Sequence, residues 1–185
     1  MYKLCKTEQS LRRQMKLENG LLQIMLRQPY EEISISELCT QLDVPRKTFY
    51  RYFSSKEGCL QALIDHRLMG YSRQGEENQH FLINGFSLDL KWFFTFWQTQ
   101  ADLLCALSRN RLGGILVERA IFHSQEARIF SDGMHDAEYV KHITSFVVCG
   151  IMSIVLQWYQ DGFCQSPAEM AKMTREMLLN PLIPH

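Results

Sequence analysis

The sequence predicts an all-α protein with a small N-terminal helical domain and a larger C-terminal one. Apolar residues make up 46% of the 185 residues, enough to build a hydrophobic core. They recur at helical spacing along most of the chain, whereas no run of four or more residues alternates cleanly between apolar and polar as a strand would. Proline and glycine fall mostly between these periodic segments, where they mark helix ends.

The first two helices are predicted over residues 8–28 and from Ser34 onward. Pro29 ends the first helix because the residue before a proline resists helical geometry. Ser34 stands three residues before Glu37, which is the spacing of a capping box, where each side chain bonds the backbone N–H of the other. The sequence Asp-Val-Pro at 43–45 then breaks the second helix.

A third short helix is predicted over 46–53, followed by a longer one. Ser54 and Glu57 form a second capping box, which opens a helix to about Tyr71. Two short helices that are joined by a tight turn and braced by longer helices form a helix-turn-helix, here over 34–53.

The most polar stretch, residues 72–84, is the predicted junction between an N-terminal domain over 8–71 and a C-terminal domain over 85–185. Ser166 and Glu169 form a third capping box, with Pro167 at the first helical position, where proline is favoured. The predicted C-terminal helices cover about 85–108, 110–130 with a break, 135–161 and 166–179.

The second helix of the motif has one apolar side and one basic, hydroxyl-bearing side. Phe49 and Phe53 are four residues apart and share a face, with Tyr52 beside them, so this side is expected to pack inward. The side chains left for a DNA groove and its walls are Arg46, Lys47, Thr48, Tyr50 and Arg51. The charge distribution supports this reading, since residues 1–70 carry eleven Lys and Arg against eight Asp and Glu, whereas 71–185 carry nine against twelve.

This motif resembles the DNA-binding domain of the TetR/AcrR transcriptional regulators. The most specific part is the string TFYRYF over 48–53 with KE at 56–57, and the resemblance covers about residues 10–71. A weaker likeness to the last two helices of the family lies in WYQDG over 158–162 and SPAEMA over 166–171.

The resemblance implies a role for individual residues. Tyr50 and Lys56 are expected to contact phosphates, the latter beside the free N–H groups that open the fourth helix. Thr48 is expected to touch backbone or base. Arg46 and Lys47 occupy the base-reading positions, where an arginine can bond a guanine edge bidentately. The predicted DNA-contacting set is Ser34, Ser36, Arg46, Lys47, Thr48, Tyr50, Arg51 and Lys56.

Ser34 or Ser36 is expected to hold the flanking phosphate, and two positions depart from the family pattern. Pro45 stands where the family often has a serine that caps the recognition helix. Lys47 stands where a small residue is common, so it adds charge at the groove and favours salt-sensitive, non-specific affinity.

The resemblance also implies a homodimer, because in this family the last two long helices form a four-helix bundle with those of a second subunit. Two-fold pairing would let two short recognition helices read a palindrome. The alternative is that both helices pack only on their own subunit. The predicted dimer interface consists of Val147, Ile151, Ile154, Trp158, Met170, Met173 and Met177.

The densest aromatic run, residues 86–97, fits either core filling or the wall of an apolar effector pocket. The predicted pocket residues are Trp92, Phe93, Phe96, Trp97, Phe122 and Tyr139. Basic residues that an anionic effector would meet, if they are not surface charges, are Lys91, Arg109, Arg111, Arg119 and Arg128.

These observations lead to the hypothesis that the protein is a DNA-binding transcriptional regulator. It is expected to be a repressor that binds a palindromic double-stranded operator and is released from it by an unknown small-molecule effector. The alternative is an activator of the same fold whose C-terminal domain binds a protein coactivator. No catalytic residue, cofactor or metal site is expected, since the chain lacks a nucleophile elbow, a phosphate loop and a His-Glu-x-x-His motif.

Six cysteines without a Cys-x-x-Cys pair, and no secretory signal, predict reduced thiols in a cytoplasmic protein. No membrane partner is expected. Residues 143–160 lack charge, but a stripe of small and polar side chains recurs every fourth residue, as in a helix buried in protein.

Overall fold

The computed structural model describes residues 2, 3, 5, 7–77, 89–127 and 136–179, and it is all-α as predicted. Among these residues the one extended pairing is a single antiparallel bridge between Tyr2 and Phe53. A 3-10 turn over Tyr30–Glu32 follows the first helix. The helices are α1 (Glu8–Met25), α2 (Ile35–Gln41), α3 (Arg46–Tyr52), α4 (Lys56–Glu77), α5 (Leu90–Gln98), α6 (Ala101–Arg109), α7 (Gly113–Glu126), α8 (Ala137–Gln160) and α9 (Pro167–Leu179).

Helix α2 begins at a side-chain cap, and the turn between α2 and α3 follows close packing on α1. The Ser34 side chain caps α2 by accepting the N–H of Glu37 at 3.0 Å, which is one half of the predicted capping box, while the Glu37 carboxylate accepts from the Gln28 side chain instead. Asp43 adopts a left-handed conformation, with φ of 51°, and thereby reverses the chain. Leu42 lies directly against Gly20 of α1, where a Cβ atom would collide with the leucine side chain. The helix-turn-helix therefore packs closely against α1.

The start and the end of α4 differ from the prediction. Ser55 rather than Ser54 provides the cap, since its hydroxyl accepts the N–H of Gly58 at 3.1 Å. The helix continues to Glu77, so the first six residues of the predicted junction 72–84 are helical. Residues 78–88 of that junction and of the following predicted helix lie outside the described residues.

The single helix predicted over 85–108 is two helices, α5 and α6. Thr99 ends α5 and turns its hydroxyl onto the carbonyl of Phe96 at 2.7 Å, a local bond that competes with helix continuation. Gln100 precedes α6. Apolar periodicity runs through the break, which explains why the sequence pattern did not reveal it.

The C-terminal domain consists of α5 to α9. Helix α7 packs on α8, and α5 packs on α9. The third capping box is confirmed: the N–H of Ser166 donates to Glu169 at 2.7 Å and the N–H of Glu169 to the Ser166 hydroxyl at 3.3 Å. Trp158 is 1% exposed and packs edge-on against Phe94, with ring centroids 5.5 Å apart. Among the described residues, α8 is also long and apolar enough to cross a membrane by length and composition, a property it shares with core helices of soluble proteins.

Candidate nucleic-acid interface

Helix α3 has the two faces that the sequence predicts. Phe49, Tyr52 and Phe53 are almost completely buried, and the Phe49 and Phe53 rings lie 5.1 Å apart. Burying such aromatic side chains contributes roughly 1.5–3 kcal/mol each, which fixes a helix of only seven residues that would not be stable alone. The opposite face is thereby presented to solvent.

The exposed face of α3 carries three cations, Arg46, Lys47 and Arg51. None of them pairs with an acidic side chain in the part of the chain that the structure describes. The Arg46 guanidinium lies 5.9 Å from the centre of the Tyr50 ring and donates to its hydroxyl at 3.4 Å. Tyr50 itself is 50% exposed. Exposed cations and hydroxyls on one face are the groups that contact phosphates and base edges.

The three hydroxyl-bearing candidates, Ser34, Ser36 and Thr48, differ in their exposure and in their hydrogen bonds. Ser34 and Ser36 are exposed, and the Ser34 oxygen already accepts a backbone N–H as the cap of α2. Thr48 is half-buried, and its N–H bonds the carbonyl of Pro45 at 2.7 Å. Pro45 gives α3 no side-chain cap, as its departure from the family pattern predicts.

Lys56 begins α4 as predicted, but its ammonium group binds backbone carbonyls rather than being free for a phosphate. Its ammonium group donates to the carbonyls of Tyr30 at 2.5 Å, Ile33 at 2.8 Å and Glu31 at 3.3 Å, and lies 4.3 Å from the centre of the Tyr30 ring. Its partial burial lowers the pKa of the ammonium. All three of its protons have acceptors within the protein, so the structure assigns Lys56 to holding the loop before α2.

Two stretches of the chain match known family models. Residues 21–63 match the model for bacterial regulatory proteins of the tetR family. Residues 120–180 match a model of a transcriptional regulator C-terminal region. The chain belongs to the TetR family of transcriptional regulators. It is therefore a DNA-binding transcription regulator with a helix-turn-helix, and the resemblance noted in its sequence is confirmed.

Solved structures share the fold of this TetR-family chain at low sequence identity. Lin0861 from Listeria innocua superposes with a TM-score of 0.77 at 16% identity, over 95% of this chain and 94% of that one. FadR from Bacillus subtilis, in complex with stearoyl-CoA, superposes with a TM-score of 0.55 at 14% identity, over 90% of this chain and 97% of that one. A TetR-family regulator from Bordetella parapertussis superposes with a TM-score of 0.52 at 16% identity, over 90% of this chain and 94% of that one. A search of curated proteins found no matching sequence.

The structure divides the predicted dimer interface into two groups. Val147, Ile151, Trp158 and Met170 are at most 8% exposed within one subunit, so their assignment to an interface is wrong. A long apolar helix needs one face for the core of its own subunit, and α8 packs on α5, α6 and α7, while α9 packs on α5. The remaining predicted residues are accessible: Ile154 is half-buried, and Met173 and Met177 are 37% and 41% exposed.

The predicted pocket residues differ in their burial. Phe93, Phe96 and Trp97 are core residues, and Trp92 is half-buried, with its ring stacked on that of Tyr71 at 6.5 Å. The other two residues lie on the surfaces of α7 and α8, Phe122 at 45% and Tyr139 at 56% exposure. Their membership of one pocket with the aromatic run stays a prediction.

The basic residues proposed for an anionic effector have other partners or positions. Arg119 forms two bonds of 2.7 Å to Asp65, and Arg109 donates to the carbonyl of Leu26 at 2.6 Å. Lys91 and Arg111 are exposed. Arg128 lies outside the described residues.

Sequence reasoning also missed a buried polar cluster around Asp65, a fully buried residue of α4. The carboxylate accepts bonds from Tyr2, Arg119 and His123, which are 63, 54 and 58 residues away in the chain. Burial alone would raise its pKa, but the bonds from His123, Arg119 and Tyr2 outweigh burial and lower the pKa to about 2. No local pattern reveals a cluster made of such distant residues.

Proposed function

We propose that α3 enters the major groove of a palindromic double-stranded operator and that two copies of the chain bind it as a homodimer. The observation that carries this proposal is the exposed face of α3, with three cations that have no acidic partner among the described residues. Arg46 and Lys47 read base edges, since they stand at the start of the helix. Tyr50 and Thr48 contact the backbone, and Arg51 lies along the groove wall.

Around this helix, Ser34 or Ser36 holds the flanking phosphate, and Lys56 supports the interface indirectly. By binding three carbonyls of residues 30–33, Lys56 fixes the loop that leads into α2. The DNA-binding domain extends over 8–71, and the domain over 85–185 supplies dimerisation and regulation.

The dimer interface is proposed on the exposed faces of α8 and α9. Phe146 is 63% exposed, and Cys149, Gly150 and Ser153 continue the same face of α8 with small side chains. On α9, Met173, Met177 and Leu178 are exposed. A second copy is the expected occupant because TetR-family regulators bind operators as dimers, and a palindrome needs two recognition helices.

The C-terminal domain is proposed to respond to an effector that releases the protein from DNA, so that the protein acts as a repressor. Support comes from the ring cluster of Tyr71, Trp92, Phe93 and Phe96 between α4 and α5, whose ring centres are 5.2–6.5 Å apart. One neighbour of the same fold carries stearoyl-CoA. Long-chain acyl-CoA is therefore the first probe.

The test of the DNA interface is footprinting on the DNA upstream of the protein's own gene, and on duplexes that the protein selects from a random pool. We expect protection of a palindrome that Arg46→Ala and Tyr50→Ala abolish. Lys172→Ala, which removes an exposed cation on α9, is the matched control and should leave protection unchanged. Protection that survives both α3 substitutions would refute the interface.

A reporter placed behind the selected operator separates the two signs of regulation. Transcription that rises when the protein is removed supports a repressor, whereas transcription that falls supports the activator alternative. Release of operator by stearoyl-CoA, with a rise in melting temperature, supports a small-molecule effector. No response to acyl-CoA or to a broad panel of small molecules would favour a protein coactivator.

A further inference from the structure

The segment before α1 contacts the end of the recognition helix. Tyr2 forms the antiparallel bridge with Phe53, and the N–H of Lys3 donates to the carbonyl of Tyr52 at 2.8 Å. Tyr52 is the last residue of α3, and Phe53 is its C-cap. The carbonyl of the last residue of α3 therefore accepts a hydrogen bond from this segment, which restrains the position of the helix end.

The same segment also reaches the buried carboxylate of α4. The Tyr2 hydroxyl donates to Asp65 at 2.6 Å, and burial together with this bond raises the pKa of the phenol. The Tyr2 ring lies edge-on to His66, with centroids 6.3 Å apart, and His66 bonds Glu18 of α1 at 2.7 Å. One side chain thus meets α4 directly and α1 through His66.

Two residues of helix α7 also bind Asp65. Arg119 donates to both carboxylate oxygens at 2.7 Å, and His123 lies 2.9 Å from one of them. These residues belong to the C-terminal domain, where α7 packs on α8. A fully buried carboxylate is costly without partners, so it restrains its surroundings to arrangements that keep these bonds.

We propose that Tyr2 is a positioning residue for DNA binding, through which α7 restrains the end of α3. Helix α4 is one route from α7 to α3, through residues 53–55. The route through Asp65, Tyr2 and the Lys3 bond is a second one. A movement of α7 that withdraws Arg119 from Asp65 loosens the hold on Tyr2, and the segment then no longer fixes the end of α3. This inference rests on the proposed role of α3 at the operator.

Hydrogen exchange tests the positioning without DNA. Exchange of peptides that cover 46–55 is compared with exchange over 167–179 in the wild type and in the variants Tyr2→Phe and Arg119→Gln. We expect α3 to exchange about tenfold faster in both variants, with α9 unchanged, because local opening costs less once the restraint is lost. The matched control is Tyr159→Phe, which removes the hydroxyl of a half-buried tyrosine on α8 and should leave α3 exchange unchanged.

Operator affinity tests the functional consequence, with the duplex that the wild type selects. Tyr2→Phe should weaken binding about fivefold, at the lower end of typical coupling between sites. If both residues act on one route, the double variant with Arg119→Gln should bind no more weakly than Arg119→Gln alone. Additive losses, or equal losses in Tyr2→Phe and Tyr159→Phe, would overturn the proposal.

The exchange and affinity measurements distinguish failure of this inference from failure of the proposed DNA-binding function. If the wild type selects no DNA, the proposed function fails while the exchange result still stands. If Arg119→Gln lowers the melting temperature and leaves α3 exchange unchanged, Arg119 only stabilises the fold, and the route through Tyr2 is refuted. Because Tyr2→Phe removes a single hydroxyl, it keeps the test valid even if Arg119→Gln folds poorly.

Discussion

Replacing Asp65 with asparagine removes the charge of the buried cluster and keeps the size of the side chain. Folding lowers the pKa of this carboxyl from 3.8 to about 2, because the bonds from His123, Arg119 and Tyr2 outweigh burial. At about 1.4 kcal/mol per pKa unit, the charged form contributes about 2.5 kcal/mol at neutral pH. Removing one partner of a buried ion pair typically costs about 3–5 kcal/mol. We therefore expect Asp65→Asn to lower the free energy of unfolding by about 3 kcal/mol at pH 7.

The loss of unfolding free energy in Asp65→Asn should become smaller as the pH falls. Since the pKa of Asp65 is lower in the folded state, its contribution is complete above about pH 5 and is lost as pH falls toward 2. The difference between wild type and Asp65→Asn should shrink by about 1 kcal/mol between pH 6 and pH 3. Urea denaturation at fixed protein concentration measures this difference, which matters because dimers gain stability by mass action.

The matched control is Asp102→Asn in the first turn of α6. Asp102 is 41% exposed and 3.9 Å from Arg67, so its loss should change the free energy of unfolding by less than about 0.5 kcal/mol. A difference below about 1 kcal/mol for Asp65→Asn at pH 7, or one that stays constant down to pH 3, would refute the reasoning on the cluster.

Three further predictions concern the DNA interface and the dimer. Lys47→Ala should reduce the slope of log affinity against log salt by about 0.9, measured by fluorescence anisotropy on the selected operator, because Lys47 adds positive charge at the groove; an unchanged slope would show that this charge does not contribute to DNA affinity. Lys56→Met should leave this slope unchanged and lower the melting temperature, because its ammonium binds carbonyls of the loop before α2; a reduced slope would restore a direct phosphate contact. Phe146→Asp should dissociate the homodimer in analytical ultracentrifugation, whereas Phe122→Asp on the exposed surface of α7 should not; a dimer that withstands Phe146→Asp would place the interface elsewhere.

The helix-turn-helix could be predicted from the sequence because its determinants are local. Phe49 and Phe53 share a face at a spacing of four residues, and Ser34 caps α2 three residues ahead of Glu37, so each feature follows from nearby residues. The TFYRYF string adds the family. The break between α5 and α6 was not predicted because apolar periodicity continues across Thr99 and Gln100.

The burial of α8 was decided only by tertiary structure. Hydrophobicity predicts that Val147 and Trp158 are buried, but the same chemistry suits an intramolecular core and a subunit interface. Their packing within one subunit leaves the α8 face of Phe146 exposed, which is the face proposed above for contact with a second copy. Likewise Lys56 looked like a free cation at a helix start, and only the fold brought three carbonyls to it.

The sequence by itself determined the helices, the recognition helix and its two faces, since amphipathic spacing and capping act within a few residues. Only the tertiary structure determined which polar groups share a buried site. Tyr2, Asp65 and Arg119 are isolated in sequence, and their bonds exist because α4, α7 and the segment before α1 meet at one point. Long-range pairing of this kind depends on how helices pack, which no local pattern specifies.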